Sequence, residues 1–152
     1  MILADYGDSV FKVLYLGHML SFVVAFVPAV MNPVLLAKMQ KDGDDGTTLR
    51  IAGHLAAMAR QIHFPALVAL GGFGIAMVLV SDEVIAFSDT WVSLAFLVWI
   101  AIAGVVSGII MPNERKLAAG DLEAEKKAAM GGQIATVLTL VMLYLMIWKP
   151  GA

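Results

Sequence analysis

The sequence predicts an all-α fold: a polytopic membrane four-helix bundle, N-out/C-out, with cytoplasmic extensions of helices 2 and 4. Three observations predict it. Hydrophobic residues fill 61% of the 152 positions and charged residues 14%, against roughly 45–50% and 25% in soluble domains, and a water-soluble fold of this size cannot hide so much apolar surface. Four apolar segments each approach the ~20 residues that a helix needs to cross the hydrocarbon core. Eight of the ten basic residues lie in alternate connections of the chain, as the positive-inside rule requires of a four-span protein with both ends outside. Residues 1–152 read as a single membrane domain.

The first segment runs from Val10 to Met31. Met1 to Ser9 carries Asp5 and Asp8 and no basic residue, unlike the positive leader of a secretory signal, so the segment is expected to be a retained helix. The second, Ile62 to Val80, contains Pro65, Gly71, Gly72 and Gly74, and the first contains Pro28; neighbouring helices in a membrane accommodate such breakers. The third spans Trp91 to Met111 and the fourth Ala128 to Trp148.

The connections set direction. The first carries Lys38, Lys41, Arg50 and Arg60, and the third Arg115, Lys116, Lys126 and Lys127, so both are expected on the cytoplasmic side. The second, Ser81 to Thr90, holds Asp82, Glu83 and Asp89 and nothing basic, and is expected outside. Trp91 and Trp148 then fall at the outer boundary, where amphipathic rings favour the headgroup region, and Lys12 and Lys149 can snorkel there. Lys41-Asp42-Gly43-Asp44-Asp45-Gly46 reads as a flexible turn without the spacing of a calcium loop. Thr47 or Thr48 is expected to cap the extension of the second helix, and Asp121 that of the fourth, where Glu123 and Lys127 are spaced to pair. These charges otherwise read as a solvated surface.

Much chemistry is excluded. There is no cysteine, hence no disulfide, thiolate metal site, iron–sulfur cluster or cysteine nucleophile. A net charge of −2 gives no field to attract nucleic acid. No phosphate-binding, dinucleotide, nucleophile-elbow or zinc-protease motif occurs, and no pair of carboxylates lies inside the spans to serve as acid and base. The expected catalytic set is therefore empty.

Histidine remains. His18 is expected inside the membrane, roughly 12 Å along the helix from Val10. Phe11, Tyr15, Phe22 and Ala25 share its face. An imidazole in such a stripe has two readings: a hydrogen-bonded packing residue, or a ligand to a flat ring such as haem b or a quinone. In the second reading His18 is the haem-iron ligand and Tyr15, Phe22 and Met142, at similar depth on the fourth helix, complete the cofactor site. His63 is expected roughly 25 Å from the outer end, a different level from His18, and His54 in the cytoplasm. Ten methionines raise a copper reading, weakened by the lack of any Met-x-x-Met cluster. A transport reading is thinner, since no charge lies at mid-membrane.

For packing, Gly104-Val-Val-Ser-Gly108 is a GxxxG pair, and Gly17 to Ser21 and Gly72 to Ala76 follow the looser small-xxx-small pattern. Contacts within the monomer are expected ahead of a dimer seam.

Four further features carry a resemblance: the first-helix His18, Pro65-Ala66-Leu67 with Gly71-Gly72-Phe73-Gly74, Phe87-Ser88-Asp89-Thr90-Trp91, and the closing Met146-Ile147-Trp148-Lys149-Pro150-Gly151. Over nearly its whole length the chain resembles a family of small four-helix bacterial inner-membrane proteins known only as a domain of unknown function. That family is distantly similar to the copper-resistance D membrane domain and to the haem-binding membrane protein of protoporphyrinogen oxidation. The resemblance implies a multi-pass protein of the bacterial inner (plasma) membrane with a first-helix histidine at His18, and implies fold more than activity. The expected function is an accessory or assembly module acting through other membrane subunits or its own oligomer. The alternatives are a haem- or quinone-binding redox protein using His18, and a copper-related or small-solute transport component.

Overall fold

In a computed structural model, which describes residues 9–41, 45–82, 84–121 and 123–151, the chain is all-helical. Helix α1 covers Ser9–Lys41, α2 Asp45–Met58, α3 Phe64–Val80, α4 Thr90–Val105, α5 Met111–Ala118 and α6 Glu123–Trp148. Single π-helical turns, Ala59–His63 and Val106–Ile110, join α2 to α3 and α4 to α5, leaving four continuous rods. Each rod holds a stretch long and apolar enough to cross a membrane, and only 6% to 22% of each apolar window is buried inside the chain. The rest, including Leu97, Ile100, Val137 and Leu140, is apolar surface of the kind a bilayer covers, and the architecture is that of a multi-pass membrane protein.

Proline explains both π turns. Pro65 and Pro112 lack an N–H and crowd the carbonyl four residues back, at Gln61 and Gly108. Those carbonyls sit at the centres of the two wide turns, which the N–H groups of Phe64 and Met111 close five residues back on Ala59 and Val106. The rods bend their register there without breaking.

The helices are longer than the apolar segments, because hydropathy marks only the lipid-crossing part while Ala, Lys, Glu and Leu continue the helix into the polar flanks. Helix α2 starts at Asp45, so Thr47 and Thr48 lie in its first turn and neither is the cap expected of them. Of the expected turn Lys41 to Gly46, positions 42–44 lie outside the described residues, as do Asp5, Asp8 and Glu83. Asp121 does cap α6, its Oδ1 accepting from the Glu123 N–H at 3.1 Å. The acid of that turn pairs with Lys126 at 3.9 Å rather than with Lys127; the pair is exposed and contributes little.

Helix α1 packs chiefly along α3, and α4 along α6, so the bundle is two helix pairs set side by side. Three buried clusters stack along it. Leu67, Leu70, Ala95, Ile102, Met142 and Leu145 form the centre. Phe11, Ile85, Trp91 and Val92 close the end at the 81–90 connection. Ala52, Leu117 and Ala124 join α2, α5 and α6 at the basic end. Lipid gives apolar helices no hydrophobic reason to associate, so close approach at small residues and interhelical hydrogen bonds hold the bundle. Polar side chains within the rods bond back to their own helix: Ser107 to Ala103 O, Thr136 to Gly132 O, Thr139 to Ala135 O and the buried Asn113 to Ile109 O, all at 2.7–2.8 Å.

Candidate functional site

The two helix pairs do not close completely, and a cavity of about 650 Å³ lies between them. That is within the roughly 300–1,000 Å³ of ligand pockets in general. Helix α1 supplies Phe11, Tyr15, His18 and Phe22, spaced to share one face. Helix α3 supplies Leu70, Gly71 and Gly74; α4 supplies Trp91, Ala95, Phe96 and Trp99; α6 supplies Met142, Leu143 and Met146. The four residues expected at a cofactor site, His18, Tyr15, Phe22 and Met142, thus line one cavity. Ala25 packs against the central cluster instead.

Helix α3 holds this wall together through its carbonyls. Each carbonyl oxygen has a second lone pair beyond its intrahelical bond. The imidazole of His18 uses Leu70 O at 3.0 Å through Nδ1, and the Trp99 indole donates Nε1–H to Leu67 O at 2.9 Å. Side chains from α1 and α4 are thereby tied to neighbouring turns of α3. Space for the indole comes from Gly71, where a Cβ would stand 2.4 Å from the ring. Gly74 lies beneath the imidazole, its absent Cβ leaving that part of the cavity floor open.

The partner of His18 decides its chemistry. A carbonyl only accepts, so Nδ1 carries the proton and Nε2 keeps its lone pair. A histidine whose one nitrogen donates to a backbone carbonyl is oriented, and made more basic, for ligation through the other. His63 does the same in the opposite direction, donating Nδ1–H to Val24 O at 2.9 Å. Six residues separate His18 from Val24, so the two imidazoles tie α1 to the neighbouring rod, at α3 and at the π turn before it, at levels roughly 9 Å apart. His63 does not line the cavity, and among the described residues no three His, Asp or Glu side chains gather as a metal cluster.

One rim of the cavity is cationic. Lys12 and Lys149 both border it, and Lys149 Nζ lies 5.3 Å from the centre of the Trp91 ring. Gly151, at φ 85°, lets the end of α6 turn in beside Thr90, where a Cβ would come within 3.3 Å.

Of the four glycines expected at packed interfaces, Gly17 receives the Phe73 ring, with a Cβ there 2.8 Å from it. Gly72, Gly104 and Gly108 have nothing within 4 Å of a Cβ among the described residues, so the GxxxG pair lies outside the contacts of the chain with itself. The close approaches are at Gly17, Gly71 and Gly131, the last against Ile109 and Ile110. Sequence reading also passed over Trp99. Its signal was position: a tryptophan in the middle of an apolar span, away from the headgroup belt, requires an internal partner for its N–H.

Comparison of the chain with protein-family models, curated proteins and solved structures finds no match.

Proposed function

We propose that this chain is a haem b-binding protein of the bacterial plasma membrane, with His18 Nε2 as the iron ligand and Met142 as the candidate second ligand from α6. The single observation that carries the reading is the hydrogen bond from His18 to Leu70 O, which leaves an oriented imidazole lone pair facing an aromatic-walled cavity. Bound haem supplies one-electron redox chemistry. This chain's residues supply the rest: aromatic walls that exclude water, and the Lys12 and Lys149 rim as a seat for carboxylates. The same tautomer argues against a quinone held by His18, because a quinone oxygen needs a donor and Nε2 has no proton to give. Purified after expression with ample haem, the protein should show a Soret band. A colourless protein would remove the reading.

The distribution of basic residues supports an N-out/C-out orientation with α2 and the start of α6, the extensions of the second and fourth spans, in the cytoplasm. A cysteine introduced between Ser81 and Thr90 should react with an impermeant thiol reagent on intact cells; reaction only after lysis would reverse the orientation.

A second reading, an accessory module acting through another membrane subunit or its own oligomer, draws on the outward-facing Gly104 and Gly108. It predicts a crosslinked complex in native membranes that Gly104→Leu abolishes. An unchanged yield would sink it.

A further inference from the structure

We propose that the cavity is reached from the bilayer, through a slot between α1 and α6, so that its occupant is a membrane-dissolved amphiphile rather than a solute taken from water. The inference rests on reading the cavity as a ligand site, and it adds the class of ligand and its route.

The exposed residues of the wall are all on one side. Tyr15 is 53% exposed, Met19 42% and Ile147 66%, and each lines the cavity. They and Lys12, the other exposed lining residue, belong to α1 and α6. No exposed lining residue comes from α3 or α4. Helices α1 and α6 meet at few points, as do α3 and α4, but only the α1–α6 side of the cavity carries exposed lining residues. The opening is therefore a side slot.

Its depth puts it in hydrocarbon. Met19 lies ten residues into α1, roughly 15 Å along the axis, near the middle of a core about 30 Å thick. At the water-facing end of the bundle the cavity wall is the buried, packed cluster of Phe11, Ile85, Trp91 and Val92, with Lys12 exposed at its rim. A ligand dissolved in the bilayer meets an open slot, while one in water meets packed side chains.

The cations define the ligand's other end. Lys12 lies six residues from His18, roughly 9 Å along α1, and Lys149 shares its rim. An amphiphile entering sideways places its flat apolar part beside His18 and its acidic groups at headgroup level, where lysines of snorkelling reach meet them.

The test uses Trp99, on the inner wall, as the reporter. The chain has three tryptophans, so Trp91→Phe, which keeps an aromatic ring in the cluster at the water-facing end, with Trp148→Phe leaves Trp99 alone. In vesicles of phosphatidylcholine with brominated acyl chains, Trp99 fluorescence should be quenched, and aqueous iodide should leave it unaffected. Quenching by iodide, or by neither agent, overturns the slot. A second measurement keeps all three tryptophans: Tyr15→Cys with Ile147→Cys, bridged by a short bismaleimide, should take up haem from haem-loaded vesicles about tenfold more slowly than the unbridged variant. An unchanged rate overturns the slot. If the parent protein, with Tyr15 and Ile147 intact, takes up no haem at all, the haem reading fails, and the tryptophan result alone decides the route.

Discussion

Gly71→Ala, set against Gly72→Ala, tests how the cavity wall is held. Both glycines lie in the interior of α3, so each alanine brings the same gain in helix propensity, up to about 1 kcal/mol. They differ only in what the methyl meets. At Gly72 it meets nothing within 4 Å; at Gly71 it would stand 2.4 and 2.5 Å from two atoms of the Trp99 indole. Ordinary carbon contacts are about 3.5–4.0 Å, so the ring must retreat by about 1 Å. It cannot do so freely, because its Nε1–H is fixed to Leu67 O at 2.9 Å, and a shift of that size takes the pair out of hydrogen-bonding range. Overpacking costs about 1–3 kcal/mol and the lost interhelical bond about 0.6 kcal/mol. Net of propensity, Gly71→Ala should destabilise by about 1–3 kcal/mol, a five- to 150-fold change in the unfolding constant, while Gly72→Ala should be neutral or mildly stabilising. Unfolding in mixed detergent micelles, followed by tryptophan fluorescence, measures both. Equal effects would refute the claim that Gly71 exists to admit Trp99.

The two histidines should separate in the same assay. His63→Leu removes the tie to Val24 O and should cost about 0.6 and no more than about 1.7 kcal/mol, with the absorption spectrum of haem-loaded protein unchanged; a lost Soret band would place His63 in the site. At the basic end of the bundle, Glu114 Oε2 is buried and takes no hydrogen bond among the described residues. Glu114→Gln removes the charge at nearly constant shape and should leave stability equal or raise it by about 1–3 kcal/mol. A clear loss of stability would mean that the carboxylate has a charged partner.

The spans were legible in the sequence because hydropathy over about 20 residues reports a property of the segment itself. Their ends were not, since a helix does not stop where the hydrocarbon does: Lys126 and Lys127 are as helical as Leu140. The face of α1 was legible too, because Phe11, Tyr15, His18 and Phe22 share it by helical period alone, and Met142 could be matched to His18 by counting depth. The opposite wall could not be read. That Gly71 admits Trp99, or that Leu70 O accepts a hydrogen bond from His18 Nδ1–H, depends on which helices pair and at what rotation, which no periodicity of a single segment encodes. Small-residue spacing misled for the same reason. The most recognisable pair, Gly104 and Gly108, faces away from the other helices, and the close approaches are at Gly17, which the spacing did name, and at Gly71 and Gly131. Pro65 and Pro112 marked the π turns in advance, had the carbonyl four residues back been counted.

Chemical rescue at position 18 tests the account most directly. His18→Gly deletes the imidazole and its bond to Leu70 O while leaving the aromatic wall and the Lys12 and Lys149 rim in place. Purified from cells supplied with haem, the variant should lack the Soret band of the parent and regain it when free imidazole is added, because imidazole fills the space with the same nitrogen donor. A Soret band of parental position and strength in His18→Gly without imidazole would contradict the assignment of His18 as the ligand.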